Sequence, residues 1–151
     1  MYRVLIVDDD LTVRIRLKNL ISWELLECEI VGEAAHGLEA IALLDTVQPD
    51  IVITDIYMPG MNGVDLIHYI REQASEIYVL ALSAYDDFDY VRNSLRYGAF
   101  DYLLKHQLTA SRLEQILEEA GWKAGSDGIR EKDGVRASMT LMYPASDSVR
   151  Q

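Results

Sequence analysis

Cysteine is almost missing from this chain. Its single thiol, Cys28, in 151 residues can close no internal disulfide, and one thiol makes no zinc cluster of its own. Apolar runs stop after a handful of residues, which excludes a bilayer-spanning helix. The opening Met1-Tyr2-Arg3-Val4 lacks the long apolar stretch and small-residue cleavage site of a signal peptide, so a cytoplasmic location with no membrane partner is expected. Bases are scarce as well, with fourteen against twenty-five acids and a net charge of −11. Residues 1–120 carry the imbalance, nine bases to twenty-one acids, whereas residues 121–151 carry five and four. So acidic a body repels a phosphate backbone and favours a bound cation or a basic partner. Phosphate-cradling loops are absent too. Neither GxxxxGK(S/T) nor a GxGxxG after the first apolar run is found, which argues against nucleotide binding by either route. His36, His68 and His106 fall on different elements and are not expected to share a metal.

What is present reads as one domain with an ordinary apolar and charged balance. Five short runs rich in β-branched residues, at 4–7, 29–32, 51–54, 77–82 and 100–104, are nearly continuous, as strands buried on both faces should be. Amphipathic stretches separate them. Residues 11–22 place Leu11, Ile15, Leu17, Leu20 and Ile21 towards one side, and residues 37–47 do so with Leu38, Ile41, Ala42 and Leu44. Further helices are predicted over 63–73, 87–97 and 110–120, the last with Leu113, Ile116 and Leu117 inward. Strand and helix alternating five times predict an α/β fold, a doubly wound parallel sheet with helices on both faces. After Ala120 the periodicity fades and four of the nine glycines follow, so residues 121–151 are expected to be a linker or tail, partly disordered.

In a doubly wound sheet the functional crevice lies outside the carboxyl ends of the strands. The first strand ends in Asp8-Asp9-Asp10, the third in Asp55, the fourth in Ser83 and the fifth in Lys105. One aspartate suffices to cap a helix, and three in a row exceed that need. Carboxylates converging on one edge repel unless a cation or a raised pKa relieves them, and hard oxygens of this kind suit Mg²⁺. A carboxylate, a hydroxyl, a lysine and a divalent cation together suit phosphoryl transfer onto an aspartate.

The order Val7-Asp8-Asp9, Asp55-Ile56-Tyr57-Met58-Pro59-Gly60-Met61-Asn62-Gly63, Ser83-Ala84 and Asp101-Tyr102-Leu103-Leu104-Lys105 resembles a response-regulator receiver domain over residues 1 to about 120. Ile21-Ser22-Trp23-Glu24, Gly32-Glu33-Ala34 and Tyr85-Asp86-Asp87-Phe88-Asp89-Tyr90-Val91 resemble receivers attached to AraC-type DNA-binding domains. The resemblance implies a flavodoxin-like five-stranded sheet of order 2-1-3-4-5. It makes Asp55 the phosphoacceptor for a sensor histidine kinase. Mg²⁺ would be held by Asp9, by Asp8 through water, by Asp55 and by the carbonyl of Tyr57. Ser83 and Lys105 would bind phosphoryl oxygens, and Tyr102 would be the switch aromatic. The fourth helix, fifth strand and fifth helix would form the readout face, a homodimer contact included.

Two departures stand out. His106 follows Lys105 where the family usually has proline, which predicts a trans bond there with the following loop, 107–109, displaced. No second domain is found within the 151 residues, so DNA is expected to be reached only through a domain absent from this chain, on a longer transcription regulator. Two other readings compete. One is a stand-alone regulator acting by partner docking or phosphorelay. The other is a metal-dependent phosphohydrolase, because Asp8-x-Asp10-x-Thr12 matches the haloacid-dehalogenase-like pattern; the turn from Asp55 to Gly60 and Lys105 outvote it.

Overall fold

The computed structural model describes residues 1–73, 76–84, 92–93, 95–96, 99 and 101–125, with only the backbone of 121–125. Strands β1 (Tyr2–Val7), β2 (Cys28–Ala34), β3 (Ile51–Asp55), β4 (Tyr78–Ser83) and β5 (Asp101–Leu104) form one parallel sheet in the order β2-β1-β3-β4-β5. The expected fold class and strand order are therefore both observed. The helices described over their whole span are α1 (Leu11–Leu20), α2 (Gly37–Val47), α3 (Gly63–Gln73) and a C-terminal helix (Ala110–Gly125). The helix expected over 87–97 lies largely outside the described residues, as do the segment 85–91 and the tail from 126 onward.

Alternation along the strands feeds two cores. Val4, Ile6, Ile51, Ile53, Leu80 and Leu82 pack with Leu17 of α1 and with Leu113, Ile116 and Leu117 of the C-terminal helix. Leu5, Val7, Val52, Val79 and Ala81 pack on the opposite face with Ala40 of α2 and with Leu66, Ile67 and Ile70 of α3. Trp23 closes the first core from a 3-10 turn, Trp23–Leu26, its indole N–H donating to the Leu17 carbonyl at 3.2 Å.

The inward faces of α1 and α2 differ from the sequence expectation. Leu11 and Ile15 are 56% and 46% exposed, and Leu38 is 63% exposed. On α1 the buried stripe is Val13, Leu17 and Leu20, spaced by four and three; Leu11 and Ile15 form a neighbouring stripe that the sheet does not reach. On α2 the corresponding stripe is Gly37, Ala40, Leu44 and Val47, and Ala42 is exposed. The first helix also ends two residues early, with Ile21 extended at φ −136°. The last helix runs to Gly125 rather than Ala120, because extending an existing helix fixes one residue per hydrogen bond gained.

Candidate metal and phosphoryl site

At the end of β1 the three aspartates take separate tasks. Asp10 caps α1, its Oδ1 accepting the Thr12 N–H at 2.9 Å. Asp8 is buried; its N–H donates to the Ala34 carbonyl at 3.0 Å, and its Oδ1 accepts the Asp10 N–H at 2.9 Å. Asp9 between them is exposed. With capping assigned to Asp10, the Asp8 and Asp9 carboxylates are left for the crevice.

Asp55 ends β3 and is only 4% exposed, its Oδ1 accepting the Ile56 N–H at 2.9 Å. Carboxylate oxygens of Asp8, Asp9 and Asp55 all lie within 4.8 Å of one another, the one cluster of metal-ligating type among the described residues. The Lys105 ammonium enters this cluster, 2.9 Å from Asp8 Oδ2 and 3.4 Å from Asp55 Oδ1. The buried Ser83 ends β4 opposite Leu104, the residue before Lys105. Tyr102 pairs with Ala81 on β4 and lies half-buried against the core under α2 and α3. Tyr57 follows in the turn after β3, 37% exposed.

Burial foremost, and then the charge of Asp8, push the Asp55 carboxyl up to about 6 despite Lys105. Burial raises Asp8 as well. Burial works against the Lys105 ammonium, but its bond to Asp8 and the charges of Asp55 and Asp8 prevail and raise its pKa. One lysine thus pairs with two buried carboxylates, with the exposed Asp9 beside them, which leaves an excess of negative charge. Hard oxygen donors this close together, with unneutralised charge, fit a small divalent cation.

The bond between Lys105 and His106 is trans, as the sequence predicts, and Lys105–Gln107 forms a 3-10 turn. The Leu108 carbonyl that follows accepts from Arg16 of α1 at 2.8 Å. The histidines do not gather. His36 caps α2 through Nδ1, which accepts the Glu39 N–H at 3.2 Å; His68 lies 3.6 Å from Glu72; His106 is exposed.

Two features of the site escape the sequence reading. Asn62-Gly63 reads as turn chemistry, yet it is Gly60 that has the positive φ, +76°. At Gly63, the first residue of α3, a Cβ would lie 2.1 Å from the Asp55 carbonyl oxygen, so only glycine lets the helix approach the end of β3. Arg14 of α1 donates from Nη1 to the Asp8 carbonyl at 2.5 Å and from Nε to Glu33 at 3.1 Å. Their only sequence signals are a glycine that reads as part of a turn and an acid in Gly32-Glu33-Ala34.

The chain matches the family model described as the response regulator receiver domain over residues 4–120. It is 41% identical over 118 residues to an uncharacterized response regulatory protein of Staphylococcus epidermidis, covering 78% of this chain and 46% of that one. It is 40% identical over 117 residues to the transcriptional regulatory protein HptR of Staphylococcus aureus, covering 78% and 45%. It thus spans under half the length of these curated relatives. Among solved structures, the REC domain of AraT, a response regulator from Geobacillus stearothermophilus, superposes with a TM-score of 0.78 at 30% identity, covering 85% of this chain and 98% of that one. Sequence family, fold and curated relatives agree, and the chain belongs to the receiver domains of two-component response regulators.

Proposed function

We propose that this receiver accepts a phosphoryl group on Asp55 from a phosphohistidine of a sensor kinase, with Mg²⁺ bound, and thereby switches an output that is transcription. The observation that carries this reading is the cluster itself: three carboxylates within 4.8 Å, two of them buried, with Lys105 reaching both buried ones. An Asp55 oxygen attacks phosphorus, the phosphorus–nitrogen bond breaks, and the imidazole leaves with its electron pair and takes up a proton. A carboxyl raised to about 6 is mostly ionised at neutral pH and more basic than an ordinary aspartate.

Asp9, Asp55, the Tyr57 carbonyl and, through water, Asp8 would hold the cation, which when bound neutralises charge on the phosphoryl oxygens. Lys105 then leaves Asp55 for a phosphoryl oxygen, and the Ser83 hydroxyl donates to another. These new charge-assisted bonds bias a two-state element that includes Tyr102 on β5. The readout face of the fifth strand, the C-terminal helix and the segment 87–97 would carry a homodimer contact. Transcription as the output is supported by the likeness to HptR, a longer transcriptional regulatory protein. In this reading the chain is a switch rather than an enzyme with turnover.

The test is intact-mass spectrometry after treatment with a small phosphodonor and Mg²⁺. One added phosphoryl group on the wild type, none on Asp55→Ala and no turnover of a generic phosphate ester are expected. An unmodified wild type, or steady ester hydrolysis, would overturn the reading.

A further inference from the structure

Strand β2 contains an irregularity at the place that matters for the acidic cluster. Val4 pairs with Ile30, but Leu5 pairs with Gly32, so Val31 is an extra residue and the register shifts. A one-residue insertion reverses which face each following side chain joins. Glu33 thereby comes to pair with Ile6, whose side chain lies in the core beneath α1, and Gly32 with Leu5 on the other face. Without the bulge, Glu33 would point away from α1. With it, the Glu33 carboxylate accepts Arg14 Nε at 3.1 Å on one oxygen and Lys18 Nζ at 2.6 Å on the other.

Of these two cations, only Arg14 goes on to the site. Its Nη1 donates to the carbonyl of Asp8. The peptide unit is planar, so fixing that carbonyl fixes the N and Cα of Asp9 in the same plane. Asp8 is further held through its own N–H, by Asp10 and by Lys105. Asp9 is exposed, and the direction of its carboxylate therefore depends on how its backbone is set. Nε to Glu33 and Nη1 to Asp8 hold the guanidinium at two points of its rigid plane, a geometry an ammonium cannot reproduce. Glu33 also neutralises the arginine, which otherwise would compete with a cation for the neighbouring aspartates.

We propose that Arg14, aimed by Glu33 from the β2 bulge, is a positioning residue that presents Asp9 to the divalent cation. The inference rests on the cation site proposed above and adds a support from outside the acidic cluster. Lys18 shares the same carboxylate without touching the loop, and so serves as the internal control.

The experiment is calorimetric titration of Mg²⁺ into the wild-type chain and into Arg14→Lys, Glu33→Gln and Lys18→Met at one ionic strength and pH. Arg14→Lys keeps the charge and loses the fork, and its Mg²⁺ affinity is expected to fall about tenfold. Glu33→Gln should fall in the same direction, and Lys18→Met should match the wild type. Because the defect is in cation affinity, saturating Mg²⁺ should restore the phosphorylation rate of Arg14→Lys with a small phosphodonor. Circular dichroism checks each fold, and if Arg14→Lys does not fold, Glu33→Gln carries the comparison. Wild-type affinity in the folded Arg14 and Glu33 variants overturns the inference, as does an equal loss in Lys18→Met. A wild-type chain that binds no Mg²⁺ removes the site reading and the inference with it; wild-type binding matched by Arg14→Lys removes the inference alone.

Discussion

Lys105 lies 2.9 Å from Asp8 although β5 and β1 are separated in the sheet by two other strands. The contact crosses the carboxyl edge above β3 and β4 and passes Asp55 at 3.4 Å on the way. The lysine therefore reduces the repulsion between two buried carboxylates as well as standing ready for a phosphoryl oxygen. Its raised pKa means that this stabilisation is present below the ordinary lysine range and is lost only as pH rises through the folded value. Lys105→Met is expected to lower stability at pH 7.5 in chelator by about 1–3 kcal/mol, measured by urea unfolding, because it leaves carboxylates unpaired. The loss should shrink as pH falls below about 6, where Asp55 takes up its proton.

Asp55 shifts in the same direction with the opposite consequence at neutral pH, because its contribution is already lost there. Its folded pKa of about 6 exceeds the ordinary aspartate value of 3.8, so the folded state binds the proton more tightly than the unfolded one. Stability is highest below the unfolded value, falls as pH rises towards about 6, and stays low above it. Asp55→Asn should thus stabilise the metal-free protein at pH 7.5 by about 2–3 kcal/mol and leave it almost unchanged at pH 4. Urea midpoints across pH 4–8 measure this, and Mg²⁺ should narrow the gap by stabilising only the wild type.

Gly63→Ala tests the close approach of α3 to β3. A Cβ 2.1 Å from the Asp55 carbonyl and 2.7 Å from Ile56 Cα forces backbone apart, with an expected cost of about 2–3 kcal/mol in thermal unfolding. Gly60→Ala meets nothing within 4 Å and should cost only about 1 kcal/mol, for its positive φ. Mg²⁺ affinity should fall in the first variant and persist in the second.

Arg16 and Leu108 make the last test. The guanidinium holds the carbonyl of Leu108, the residue whose N–H closes the 3-10 turn carrying Lys105. Arg16→Ala should cost about 1 kcal/mol overall, the worth of one hydrogen bond. Amide exchange should speed up at the Leu108 N–H, which donates to the Lys105 carbonyl at 3.2 Å, and leave β1 and β3 unchanged.

The five strands, the α/β class and the polar residues at the strand ends were legible in the sequence because each is encoded locally. A β-branched run needs no partner to read as a strand, and a polar residue at its end announces itself. The trans bond after Lys105 was legible for the same reason, since the residue type alone sets its preference. The helix faces were only half legible. On α1, Leu11 and Ile15 share the apolar character of Leu17, and only the position of the sheet decides which stripe is covered. Gly63 reads as an ordinary turn glycine until β3 is laid against α3, and Glu33 reads as a surface acid until the extra residue at Val31 turns it towards Arg14. Local composition determined which residues could form the site; contacts between segments distant in the chain, set by register and packing, decided how those residues are held.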